Sequence, residues 1–330
     1  LIAPVGAATA ASSAPTGGYA SSYFAIKYDA PTPSIDPPAA EQNSANKHNS
    51  AALSSWTTSA VDFIVTFPGV GGPGGVAFAT ADGAGEGIPC TVSSWQQVGS
   101  AEKVAVHCSA PLNDSYYQVA YTRQVAAGGS YAYAYADRPA AASYTPDLTY
   151  QYATSGKKMT VTRQSTGRYT VIVPAVVTSG GTVAIGASGS SNAYCRVASW
   201  QATSSTPVSA QKVLVNCDRP WGSAIDSAFA IAYAQGTNIL GAKGLAGYWI
   251  NANRPFAKDY VAPHWGVSNQ TAHIWNDSPG TVYTGTGYAI TCSSSRSREA
   301  GTPFLLQAAG EFTYVTAAGP SHNVCNFFSL

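Results

Sequence analysis

Five histidines, sixteen acidic residues and six cysteines are the groups that could do chemistry in this 330-residue chain. His264 and His273 lie near Asp259 and Asp277, the residue types of a metal or acid/base site. No HExxH or comparable ligand spacing joins them, so no metal is expected. His107 takes an outward position beside Cys108 on an alternating segment and reads as a surface residue. The stretch GASGS around Ser188 is not the GxSxG elbow of a hydrolase and reads as a loop between strands. Asp82 and Glu86 in DGAGE have the look of calcium ligands, but the matching loop further on, SGSSN, has neither carboxylate and favours a turn. Five glutamates leave little material for the carboxylate pair of a glycosidase. The chain therefore reads as a non-enzyme without a cofactor, with a secreted hydrolase the most distant alternative.

The cysteines form no CxxC pair and no Cys/His cluster. Well separated on strand-like phrases, they read as disulfides and hence as an oxidising compartment. Asn-x-Ser/Thr acceptor sites at Asn113, Asn269 and Asn276 accord with an exported, extracellular or cell-surface protein, although Pro279 directly follows the last. Only 10% of residues are charged, against about 25% in an ordinary globular protein. Twenty Tyr, ten Phe and seven Trp supply the apolar area that a disordered chain lacks. A net charge of +1 removes the electrostatic case for nucleic acid or an anionic membrane. No run approaches the roughly 20 apolar residues of a membrane span.

The elements that carry these residues recur in a fixed order. SYFAIKYDAP, ending at Pro31, is matched by SYAYAYADRP at Pro139 and GYWINANRP at Pro255. DFIVTFP is matched by RYTVIVP and, more loosely, by GYAITC; GGVAFATADG by GGTVAIGASG and EFTYVTAAG. Then come IPCTVSSWQ, AYCRVASWQ and HNVCNFFSL. The first two copies continue with KVAVHC and KVLVNC, then DSYYQVAY and DSAFAIAY. Pro31 and Pro139 are 108 residues apart, Pro68 and Pro174 106, Cys90 and Cys195 105. Alternation within each phrase, with Gly/Pro/Ser/Asp clusters between phrases, predicts short antiparallel strands. About seven strands per copy predict an all-β chain of three tandem Ig-like sandwich modules. Their bounds are 21–124, 125–240 and 241–330, after an N-terminal extension over 1–20. Matching positions pair Cys90 with Cys108 and Cys195 with Cys217; Cys292 and Cys325 remain and are paired with each other. Trp95 and Trp200, at equivalent positions, read as core residues beside the disulfides.

The phrases GRYTV-hydrophobic-Pro, C-x-V-x-SW and V-x-V-x-C resemble tandem modules of uncharacterised secreted proteins from actinobacteria and related soil bacteria. The resemblance spans about residues 20–330. It implies export and a β-repeat architecture, and no activity or site.

The third copy lacks counterparts of KVLVNC and DSAFAIAY, so it is expected to be an incomplete sandwich with an open edge near Phe327, Phe328 and Leu330. The apolar start, with Leu1, Ile2 and Val5, looks like the end of a signal peptide and belongs to no copy. Three arrangements follow: this segment pairs within its own chain, the last module is simply smaller, or the segment completes that module in a neighbouring subunit. The last, strand donation, predicts a homopolymeric extracellular filament or surface assembly. The alternative is a carbohydrate-binding or adhesive array, with Tyr248, Trp249, Tyr260, Trp265 and Trp275 stacking on a surface glycan.

Overall fold

The computed structural model describes residues 17–28, 32–36, 38, 40–83, 90–109, 115–124, 129–174, 182–189, 193–203, 210–219 and 223–235, and, as backbone, nine strands between 246 and 329. The first nine strands are β1 (Gly18–Lys27), β2 (Ser34–Ile35), β3 (Ala40–Asn43), β4 (Ser50–Thr57), β5 (Ala60–Phe67), β6 (Val76–Gly83), β7 (Cys90–Val98), β8 (Ala101–Cys108) and β9 (Ser115–Arg123). The second repeat supplies β10 (Ser130–Ala136), β11 (Ser143–Tyr144), β12 (Gln151–Ala153), β13 (Thr160–Ser165), β14 (Arg168–Pro174), β15 (Thr182–Ser188), β16 (Tyr194–Ala202), β17 (Ala210–Asp218) and β18 (Ala228–Gln235). The third supplies β19 (Ala246–Asn251), β20 (Tyr260–Val261), β21 (His264–Gly266), β22 (His273–Ser278), β23 (Thr281–Thr284), β24 (Tyr288–Ser293), β25 (Pro303–Ala309), β26 (Phe312–Ala317) and β27 (Val324–Ser329). Among the described residues a three-residue 3₁₀ turn, Leu148–Tyr150, is the only helical element. The protein is all-β and sandwich-like, and no helix among the described residues is long and apolar enough to cross a membrane.

Strand alternation builds the cores. In β5, Val61, Phe63, Val65 and Phe67 are buried while the residues between them are half-exposed. They meet Phe24 and Ile26 of β1 and Tyr117 and Val119 of β9 in the first core. The second core joins Val171 and Val173 of β14 and Val213 and Val215 of β17 to Phe229 and Ile231 of β18.

Several strands depart from the half-buried pattern. In β10 both faces are covered: Ala132, Ala134 and Ala136 enter the second core, whereas Tyr131 and Tyr133 enter another cluster. Strand β18 divides in the same way, with Ala230, Ala232 and Ala234 in that cluster beside Val76 and Phe78 of β6. This third apolar layer is the seam between the repeats. The sheets of the first two repeats thus stack in four layers: β4-β5-β8-β7, then β1-β9-β6, then β10-β18-β15, then β13-β14-β17-β16. The first and third layers belong to one eight-stranded sheet, joined where Ser188 of β15 pairs with Val92 of β7. That sheet encloses β1-β9-β6 on both faces. Ser188 is therefore the buried last residue of a strand and not part of a loop.

The third repeat corrects the reading of an unfinished module. Its sheets run β21-β19-β25-β26 and β20-β22-β23-β24-β27, the same spatial orders as β12-β10-β18-β15 and β11-β13-β14-β17-β16. Strand β24, containing YAITC, stands where β17 stands, and not where RYTVIVP stands. Strand β25, PFLLQAA, stands in the place of β18, between the opening strand and β26. Both places taken as vacant are filled by the chain's own residues. The two last strand pairs simply follow in the opposite order along the sequence.

Cys90–Cys108 and Cys195–Cys217 are disulfides, each between residues directly opposite on neighbouring strands. The chain-entropy account assigns loops of this size about 3 kcal/mol each. The register of β24 and β27 sets Cys292 opposite Cys325 in the same way. Digestion of the unreduced protein is expected to yield a cross-linked peptide pair carrying Cys292 and Cys325; a titratable thiol at either position in denaturant would overturn that pairing.

Candidate functional site

The described polar side chains gather in a few clusters, and register explains each. Strands β4, β5 and β8 set Ser55 opposite Asp62 and Asp62 opposite His107. Ser55 Oγ donates to Asp62 Oδ2 at 2.5 Å, and His107 Nδ1 lies 2.7 Å from Asp62 Oδ1. These are the residue types of a hydrolytic triad in the wrong connectivity. A triad needs the imidazole between hydroxyl and carboxylate, so that it can take the hydroxyl proton. Here the carboxylate is the middle member and the row is a cross-strand hydrogen-bond ladder. It anchors the outward position at which His107 was expected.

Beside the second disulfide lies a buried ion cluster. Arg196 and Asp218 flank Cys195 and Cys217 and are both fully buried. Arg196 Nη1 donates to Asp218 Oδ2, and Arg168 Nη2 donates to Asp218 Oδ1 at 2.9 Å. Arg168 also donates to the Cys217 carbonyl at 3.2 Å, which ties the β14 end to the disulfide strand. A third cluster forms around Asp226, which accepts from Arg163 Nη2 at 2.9 Å, Gly167 N at 2.8 Å and the Tyr169 hydroxyl at 3.1 Å. Burial alone would raise the Asp226 carboxyl, but these donors hold it below the usual range. It staples the β13–β14 turn to the segment entering β18.

The most perturbed group lies at the seam. Glu102, at the start of β8, is 1% exposed. Burial pushes its carboxyl up to about 7, while the Gly72 N–H, the Tyr121 hydroxyl and the Arg123 charge pull the other way. Tyr121 donates to the Gly74 carbonyl at 3.0 Å, and the hydroxyl of Tyr133, from the next repeat, accepts from Gln124 N at 3.2 Å. Desolvation pushes the Tyr133 phenol up to about 12. The glycine-rich loop 68–75 owes its composition to this crowding. A Cβ on Gly74, whose φ is +84°, would lie 1.8 Å from the carbonyl oxygen of Thr149 in the second repeat. Trp95 closes the same side of the seam, edge-on to Tyr135 at 4.8 Å and to Tyr150 at 6.0 Å. Trp95 and Trp200 are each partly buried against the core of their own repeat.

Trp95 apart, none of the residues in this seam cluster stood out in the sequence. The available signal was charge on an otherwise apolar phrase: Glu102 in AEKVAVHC, Arg123 ending YQVAYTR, Arg196 and Asp218 next to cysteines. Of the residues that did, Leu1, Ile2, Val5, Asn113, Asn269 and Leu330 lie outside the described residues. Phe327 and Phe328 are on β27, opposite Ile290 and Ala289. Tyr248 and Trp249 on β19 and Trp265 on β21 share one sheet, whereas Tyr260 on β20 and Trp275 on β22 belong to another. Asn276 is a ladder residue of β22, opposite Val282. Among the described residues no three His, Cys, Asp or Glu side chains converge as metal ligands would. No protein-family model, curated protein or solved structure matches the chain.

Two predictions follow from the charges. With a carboxyl raised from 4.5 to about 7 by folding, Glu102 stabilises the fold fully below pH 4.5, and that contribution disappears as pH rises to about 7. Linkage makes the loss about 2–3 kcal/mol, which Glu102→Gln should abolish in chemical unfolding at pH 4.5 and 7.5. Arg196→Ala takes the buried guanidinium from Asp218 Oδ2, leaves Arg168 as the cation on Asp218 Oδ1, and should cost about 3 kcal/mol in denaturant titrations. The paired change Arg196→Met with Asp218→Asn should cost clearly less.

Proposed function

We propose that the protein is a secreted, non-enzymatic structural protein, a building block of an extracellular filament or surface assembly made of three tandem Ig-like sandwich modules. The observation that carries this reading is the seam. Two repeats share one sheet and a continuous apolar layer, so they form a stiff body instead of beads on a flexible linker. The clustered polar groups support it, since each cluster joins strands or loops to one another. Disulfides accord with export to an oxidising compartment. Sparse charge lowers the repulsion between copies packed side by side.

Donation of Leu1, Ile2 and Val5 into the last module is not part of this proposal. Strand β25 already stands between β19 and β26, the place for which a donated strand was invoked. The five aromatics of the candidate glycan platform are divided between two sheets. Negative-stain electron microscopy of the secreted protein is expected to show regular polymers or arrays, with and without residues 1–12. Monodisperse single particles at millimolar protein would refute the assembly reading.

A further inference from the structure

Each repeat has two sheet edges on the side of its opening strand. In the second repeat β12 pairs with β10 and β11 pairs with β13, so each edge receives one short strand. The third repeat does the same, with β21 on β19 and β20 on β22. The first repeat spends both of its short strands on one edge: β2 and β3 both pair with β1. Strand β4 is left as the end of its sheet, with no strand among the described residues paired along its outer edge.

The equivalence is close enough to locate the gap. Strands β4 and β13 carry the same irregularity, between Leu53 and Ser55 and between Arg163 and Ser165. Counting from it, Ala51 and Ala52 match Val161 and Thr162, the residues that β11 covers. Natural edges are blunted by charge, proline or a covering element. Between Ser50 and Thr57 there is no charged residue and no proline, and Ala52 is exposed. The register shift lies in the far half of the strand, and among the described residues no strand pairs with the outer side of Ser50 to Leu53.

We propose that this edge pairs with β4 of a second copy of the chain, antiparallel and about a two-fold axis. This rests on the assembly reading and names one of its contacts. Three features favour a second copy as the partner. An uncharged strand is compatible with itself in an antiparallel register, because no like charges meet across the axis. Trp56, 41% exposed, follows the ladder, and Lys47 and His48, both exposed, precede it. Antiparallel pairing brings each tryptophan toward the partner copy's Lys47, where a ring face and an ammonium attract. The chain also already joins strand edges of two repeats, where β15 meets β7.

Sedimentation velocity of the full chain, with hydrogen exchange over residues 50–57, tests the contact. The wild type is expected to associate, with amides of Ser50 to Leu53 gaining protection as concentration rises. Ala52→Lys, on an exposed side chain, should weaken association at least tenfold with unchanged circular dichroism and melting temperature. If Ala52→Lys assembles as well as wild type, or protection of residues 50–57 ignores concentration, the β4 contact is wrong and assembly runs through another surface. A wild type that stays monomeric throughout sinks both this contact and the assembly reading. Monomeric wild type whose β4 amides are protected only by an added foreign protein overturns the choice of partner.

Discussion

A β-sheet buried on both faces requires side chains that can be covered twice, and β10-β18-β15 meets that requirement by dividing size between its faces. In β18, Phe229, Ile231 and Tyr233 fill the core of their own sandwich, while Ala230, Ala232 and Ala234 turn to the first repeat. In β10 the division is inverted, with alanines inward and tyrosines to the seam. Neighbouring strands therefore offer large against small on each face, and the layers interdigitate at core density. The tyrosines bring hydroxyls that must be satisfied once dehydrated. Tyr131 does so with the Thr122 hydroxyl at 2.8 Å and Tyr133 with the Gln124 amide, both in the neighbouring repeat. Apolar contact supplies the attraction, and these bonds set the alignment.

The buried charges extend the same logic to the ends of strands. Asp218 ends β17, while Arg196 and Glu102 lie in the first residues of β16 and β8, and each meets polar groups of another strand or loop. Such groups gain little net stability, because dehydration offsets most of their attraction. They make wrong arrangements costly: a strand shifted by one residue would leave a charge without its partner. The glycine loop 68–75 works alongside them, since Gly74 lets the backbone pass under Thr149 where no side chain fits.

The third repeat shows how loosely chain order is coupled to sheet order. Ladder bonds and cross-strand contacts depend on which strands are neighbours, and antiparallel neighbours accept connections from either direction. Exchanging two consecutive pairs of strands along the sequence preserves every neighbour relation that the second repeat uses. Cys292 and Cys325 illustrate this, because they face each other as Cys195 and Cys217 do although the order of their strands is reversed.

What the sequence by itself determined was local. Alternation in DFIVTFP and KVLVNC specifies strands with one apolar face, the recurrence of whole phrases specifies repeats, and cysteines at matching offsets specify which strands adjoin in the first two copies. These properties depend on residues a few positions apart, or on comparison of one stretch with another. Tertiary structure decided the rest. Alternation in SYAYAYA looks the same whether alanine faces water or a second core, so the four-layer stack was illegible. Asp62 meets Ser55 and His107, and Glu102 meets Gly72, only once register and packing are fixed. The closing strands of the third repeat were missed for a related reason: sequence comparison follows the order of phrases, whereas a sheet is stabilised by the strands beside each other in space.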